Sequence, residues 1–256
     1  MDYNFKEHVA SDVGTEEQFL PPDSYKMQET LDSVCDWTEE NLMRVNEKKC
    51  NFMIFSRSEA KFATRLSMNN VVLNKVSGAK ILGVWITDDL SWSKNCKEIC
   101  IRAFSRLSML TKLKYVGTKT EDLIEIYILY IRSIAEYCSV AYHSSLTVAL
   151  SDKIERIQKV CLRVILGDMY VGYGAALEMC GLQPLSLRRE QRCLKFSIKC
   201  VKHPVNSRLF PFNTRTFGQS QQTKEVFEVN WARTSTYKKS AIPYCQRQLN
   251  NHCSGN

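Results

Sequence analysis

The 256-residue chain reads as α+β: a small mixed segment with a helix and short antiparallel strands, followed by an α-helical bundle. Three observations predict this. Up to Trp92, apolar residues beyond the first helix come in short runs separated by turn residues. From Ser93 to about His203 they recur at helical spacing instead. Strands gathered before helices, rather than alternating with them, give an α+β order and not a βαβ one.

The elements follow in order. Residues 1–23 lack periodicity and end in Pro21-Pro22, so they read as a disordered acidic leader. A helix is predicted from about Ser24 to Met43, capped by Ser24, with Met27, Leu31, Val34 and Trp37 or Thr38 on one face. Asn51 to Phe55 reads as a strand. Leu66–Met68 and Val71–Leu73 flank Asn69-Asn70, a hairpin turn in residues that tolerate positive φ. Lys80 to Ile86, almost wholly apolar, reads as one buried strand. Beyond it, Ile99, Ala103, Leu107 and Leu110 mark one helical stripe. Leu123, Tyr127, Tyr130, Ile131 and Ile134 mark a second, and Ile154, Ile157, Val160, Cys161 and Val164 a third. The third begins at a Ser151 or Asp152 cap and stops at Gly167. A fourth helix runs from about Ser186 to Lys202 and ends before His203-Pro204. The domains expected are therefore 1–23, 24–92, 93–205 and a polar tail, 206–256, with no assigned structure.

Charge is uneven along the chain. Residues 1–47 hold 12 acids and 3 bases, a net of −9, and the remainder carries +17. An acidic leader on a basic body predicts a polyanionic partner, nucleic acid before an acidic membrane surface; a solvated basic surface without a partner is the plain alternative. No apolar run is long enough to span a membrane, and no secretory signal opens the chain. The 11 cysteines are odd in number and scattered, which argues for reduced thiols in an intracellular protein.

Few residues suggest chemistry. Asp88-Asp89 follows a strand, as metal-holding carboxylates of polymerases do, yet two acids before a helix start are ordinary turn residues. Cys96 with Cys100, and Cys193 with Cys200 and His203, are too incomplete for a zinc site, so no metal is expected. Gly172-Tyr-Gly174 lacks the third glycine of a nucleotide loop, and no small-molecule substrate is indicated. The fourth helix carries more. Arg188, Arg192, Lys195, Lys199 and Lys202 lie within roughly 80° of one another around it, beside an apolar stripe of Leu187, Leu194, Ile198 and Val201. Such a ridge suits a phosphate backbone, each cation neutralising one phosphate; an ordinary solvated face has the same pattern. Arg102 and Arg106, one turn apart, form a second basic site.

Several segments stand in one order along the chain. They begin with Trp37, Asn46 through Lys49, and Asn51–Phe55. Next come Ile81-Leu-Gly-Val-Trp-Ile-Thr-Asp-Asp-Leu-Ser-Trp92, Gly117, and Tyr130-Ile-Arg-Ser-Ile-Ala-Glu-Tyr-Cys138. Then follow Leu146-Thr, Ile154-Glu-Arg-Ile-Gln-Lys159, Ile165-Leu-Gly167 and Gly181-Leu-Gln-Pro-Leu-Ser-Leu-Arg-Arg189. Phe227, Ala232-Arg-Thr, Tyr237 and Ser240-Ala-Ile-Pro-Tyr244 close the series. Each piece is loose, but their shared order is specific, and together they cover nearly everything after Lys26. The series resembles the end of the reverse transcriptase of non-LTR (LINE-like) retrotransposons.

The resemblance implies the end of a palm to about Trp92, a thumb from Ser93 to about His203, and a tail. The parent activity would be RNA-directed DNA polymerisation at a two-metal carboxylate site using Mg2+. The upstream carboxylate of that site has no counterpart here. The paired ones would fall near Val9-Ala-Ser-Asp12, where Ser11 stands in place of an aspartate. Lys49 matches the family's palm lysine. The resemblance thus predicts a truncated, catalytically inactive fragment with no cofactor of its own, whose thumb helices lie along an RNA–DNA or other nucleic-acid duplex. The alternatives are a functionless relic and a host-recruited protein-interaction module.

Overall fold

The computed structural model describes residues 22–55, 65–213 and 226–254, and within them the chain is α+β. Residues 1–21 of the expected leader, Val9–Asp12 among them, and part of the tail lie outside the described residues, whereas Pro22 and Asp23 belong to the first helix. Contacts divide the chain into two compact units, at Ala79/Lys80.

In the first unit, helix α1 spans Pro22–Glu40. It starts at proline, whose missing N–H costs nothing in a first turn, so Ser24 lies inside the helix and is not its cap. The face turned inward also differs from the expected one. Cys35 is buried and Gln28, Leu31 and Thr38 are half-buried, while Met27, Val34 and Trp37 are exposed. Hydrogen bonding selects this face: the Gln28 amide donates to Ser67 O at 2.9 Å and accepts from Ser67 N at 3.0 Å, acting as a strand partner. Strand β1, Asn51–Phe52, is shorter than Asn51 to Phe55 and pairs in parallel with β4, Asn74–Lys75. Between them, β2 (Ser67–Met68) and β3 (Val71–Val72) form the antiparallel hairpin expected around Asn69 and Asn70, both at positive φ. Cys35, Leu66, Met68 and Leu73 make the small core.

Lys80 to Ile86 is not one buried strand. Strands β5 (Gly78–Ile81) and β6 (Val84–Thr87) pair across a turn at Leu82-Gly83, and Leu82 is 86% exposed. Gly83 explains the reversal: its φ of +86° is one that L side chains rarely adopt, and a Cβ there would stand 3.4 Å from the Tyr137 ring. Within the second unit this turn is held by a helix-flanking residue, because the Tyr137 hydroxyl donates to Leu82 O at 2.8 Å. Asn95 Oδ1 accepts from Trp85 N, and Lys94 lies over the Trp85 ring.

Helix α2 (Ser93–Tyr115) buries Ile99, Ala103 and Leu110 as expected. Helix α3 (Thr120–Ile126) passes into a π-helical stretch, Tyr127–Arg132, and then α4 (Ser133–Glu136). The wider π turn brings every fourth residue into line, so Leu123, Tyr127, Ile131 and Ala135 are buried while Tyr130 is half exposed. After α5 (Ser139–Tyr142), helix α6 (Val148–Leu166) packs along α2. Its cap is Thr147, whose side chain accepts from Leu150 N, and not Ser151 or Asp152; Gly167 ends it at φ +56° as expected. Helices α7 (Tyr173–Met179) and α8 (Leu185–Lys202) complete the main core. A buried polar chain runs through that core. The Tyr127 hydroxyl donates to Gln158 Oε1 at 2.7 Å, and the Gln158 amide donates to Gln183 O at 3.0 Å.

The tail folds. Helix α9 spans Ser235–Lys238 and α10 spans Ala241–Ser254, and Phe210, Phe227, Cys245 and Leu249 form a second core with Cys193 and Cys200 of α8. Two amides on α10 fix the incoming chain. Asn250 exchanges hydrogen bonds with Phe227 N and O, and Gln246 bonds Asn230 N and Leu209 O. Among the described residues, no single helix is long and apolar enough to cross a membrane.

Candidate nucleic-acid interface

Helix α8 begins after Pro184 with no capping side chain of its own. A residue of α6 takes that role. Buried Glu155 accepts from Leu185 N at 2.9 Å and Ser186 N at 3.0 Å, setting a carboxylate at the positive end of the helix dipole. Tyr173 donates its hydroxyl to the same carboxylate. The orientation of α8 around its axis is set from the other helices as well. Its inward line is Leu185, Arg189, Cys193, Ser197 and Cys200, not the stripe the sequence suggested. Leu194, Ile198 and Val201 pack partly against the tail core, and Leu187 is 40% exposed.

Arg189 is fully buried. Its Nη2 donates to Ser151 Oγ at 2.9 Å, while Nε and Nη1 have no protein partner. Burial lowers its pKa, against the raising effect of Glu155. Sequence reasoning missed this residue, since nothing local separates Arg189 from Arg188 beside it.

The five-cation ridge divides in two. Arg188 grips Glu136, with Nε bonded to Oε1 and Nη2 at 3.2 Å from Oε2; Arg192 Nη2 stands 2.8 Å from Oε2, and Arg132 adds an ion pair at 3.9 Å. Burial would raise the Glu136 carboxyl, but the hydrogen bond and charge of Arg188, with Arg192 and Arg132, outweigh it and hold the group below its ordinary value. Lys195, Lys199 and Lys202 stay exposed and form no ion pair with another described residue. They continue along α8 from the clamp and present three charges to solvent.

The second basic site is weaker than its spacing suggested. Arg106 Nη1 donates to Tyr130 O at 3.3 Å, and Arg102 is half-buried with its Nε unpartnered. Lys49 ends a single 3-10 turn, Glu47–Lys49, in the first unit and is exposed. Asp89 serves its own turn, accepting from the Thr87 hydroxyl at 2.6 Å and from Ser91 N at 2.8 Å; the Thr87 bond first, then that of Ser91, lowers its pKa. Among the described residues, no group of three or more His, Cys, Asp or Glu is assembled to hold a metal. Cys96 is buried between helices, and burial pushes its thiol up to about 11.

The chain matches no protein-family model, no curated protein and no solved structure.

Proposed function

We propose that this chain is the end of a retrotransposon-type reverse transcriptase, without polymerase activity of its own, whose helical thumb-like unit binds nucleic-acid duplex through the phosphate backbone. The observation that carries the binding is the state of α8. Lys195, Lys199 and Lys202 stand exposed in a row on a helix whose position is fixed by Glu155, Arg189 and the Glu136 clamp. Fixed cations of one sign on a rigid element contact phosphates without reading sequence. The clamped Arg188 and Arg192 then orient the row, and the lysines touch the duplex. The ordered segments quoted from Trp37 to Tyr244 support the family reading.

The test is a titration of a labelled RNA–DNA duplex at several salt concentrations, beside primer extension with Mg2+. Affinity that falls steeply with salt, and no extended primer, are expected. Binding indifferent to salt, or an extended primer, would contradict the proposal.

A further inference from the structure

A cleft of about 610 Å³ lies between α2 and α6. Ser93, Lys97, Cys100, Ile101 and Phe104 line it from α2, and Leu150, Lys153 and Arg156 from α6. Its floor is apolar and accessible: Ile101 is 54% exposed, and Phe104 and Leu150 are half-buried. The charges on its wall are all positive, and Lys97, Lys153 and Arg156 are exposed. The cations continue along α6. Arg156, Lys159 and Arg163 fall within about 60° of one another around the helix, and Lys153 to Arg163 covers about 15 Å. Aromatic rings line this strip, with Lys159 over Tyr173 at 5.1 Å and Arg163 over Tyr170 at 5.2 Å. Asp152 is the one exposed acid on α6, since Glu155 is turned inward to α8.

We propose that the α2–α6 cleft and the cation strip of α6 form a binding track for a single strand of nucleic acid, with a base in the cleft and phosphates along the strip. The proposal extends the nucleic-acid reading to a second surface, distinct from the α8 lysines. The apolar floor selects the strand state. A duplex keeps its bases stacked inside and offers a cleft only phosphates, whereas a single strand can place a base face against Phe104 and Ile101. The rings beside the α6 cations favour bases over an acidic peptide, which would match the charge but leave the aromatic surface unused.

The experiment uses the full chain and a labelled oligothymidylate, followed by fluorescence anisotropy. Three variants are compared: Lys97→Gln/Lys153→Gln/Arg156→Gln, Phe104→Leu, and Lys195→Gln/Lys199→Gln/Lys202→Gln. Thermal melting of each confirms the fold. The cleft triple should lose about tenfold in single-strand affinity and Phe104→Leu about fivefold, with affinity for RNA–DNA duplex nearly unchanged. The α8 triple should show the reverse. Single-strand affinity unchanged in the cleft triple, or no single-strand binding at all, would overturn the track. So would a polyglutamate peptide or anionic vesicles bound more tightly than the oligonucleotide. Duplex binding by the α8 lysines is read separately, so either site can fail alone.

Discussion

Arg188 and Glu136 lie 52 positions apart in sequence, and the guanidinium of one holds the carboxylate of the other with two nitrogens. The Glu136 side chain is only 4% exposed, and three arginines from two segments converge on it. This carboxylate therefore joins α4 to α8, and it pairs two members of the ridge, Arg188 half-buried and Arg192 still exposed.

Removing that charge leaves three arginines facing one another. Glu136→Gln should lower stability by about 2 to 4 kcal/mol, read by chemical denaturation. An unchanged midpoint would mean that the clamp is an incidental contact.

Acid should weaken the fold in two windows. Burial, then the nearby Arg189, lowers the pKa of His143 from 6.5 to about 4. The unfolded chain takes up that proton first, so stability present above pH 6.5 is lost as pH falls toward 4. Glu136 is also held below its ordinary 4.5, so its contribution persists until pH falls below that value. Melting temperatures followed across pH should decline in both windows. His143→Leu should flatten the upper one and Glu136→Gln the lower; identical profiles for wild type and both variants would refute the assignment.

Glu155 caps α8 from a distance. Glu155→Gln keeps the volume but weakens acceptance from Leu185 N and Ser186 N, and should cost about 1 to 2 kcal/mol. Amide exchange at the first turn of α8 should speed up more than exchange in α2. Uniform exchange rates would count against the cap.

The tail should prove structural. Leu249 is 3% exposed in the core shared by α8 and α10, and Leu249→Ala should cost about 3 kcal/mol. A loss below about 0.5 kcal/mol, the range of surface substitutions, would show that α10 does not pack on α8 in solution.

What could be read from sequence was local. Asn69-Asn70 predicted its hairpin because both residues tolerate positive φ, and Gly167 and His203-Pro204 ended their helices where the backbone requires it. The hidden features depend on distant partners. Arg189 is inside because Ser151 meets it there, and Arg188 is clamped because Glu136 is close in space and far in sequence. The π stretch shifted the second stripe off Tyr130, which no period of 3.6 anticipates. Two further signals lie in the sequence itself. Gly83 interrupts the apolar run of β5 and β6, and Ile242, Cys245 and Leu249 carry a helical period in the tail. The α6 cations Lys153, Arg156, Lys159 and Arg163 are legible in the sequence too, but their spacing is less regular than that of the ridge on α8.

On the proposed function, the exposed lysines of α8, and not its clamped arginines, contact the duplex. The deciding measurement is the slope of log affinity against log salt for an RNA–DNA duplex, taken for wild type, Lys195→Gln/Lys199→Gln/Lys202→Gln and Arg188→Gln/Arg192→Gln. The lysine triple should reduce the slope by about 2 to 3, while the arginine pair loses stability and keeps the slope nearly whole. A slope unchanged in the lysine triple, or reduced only in the arginine pair, would contradict the claim.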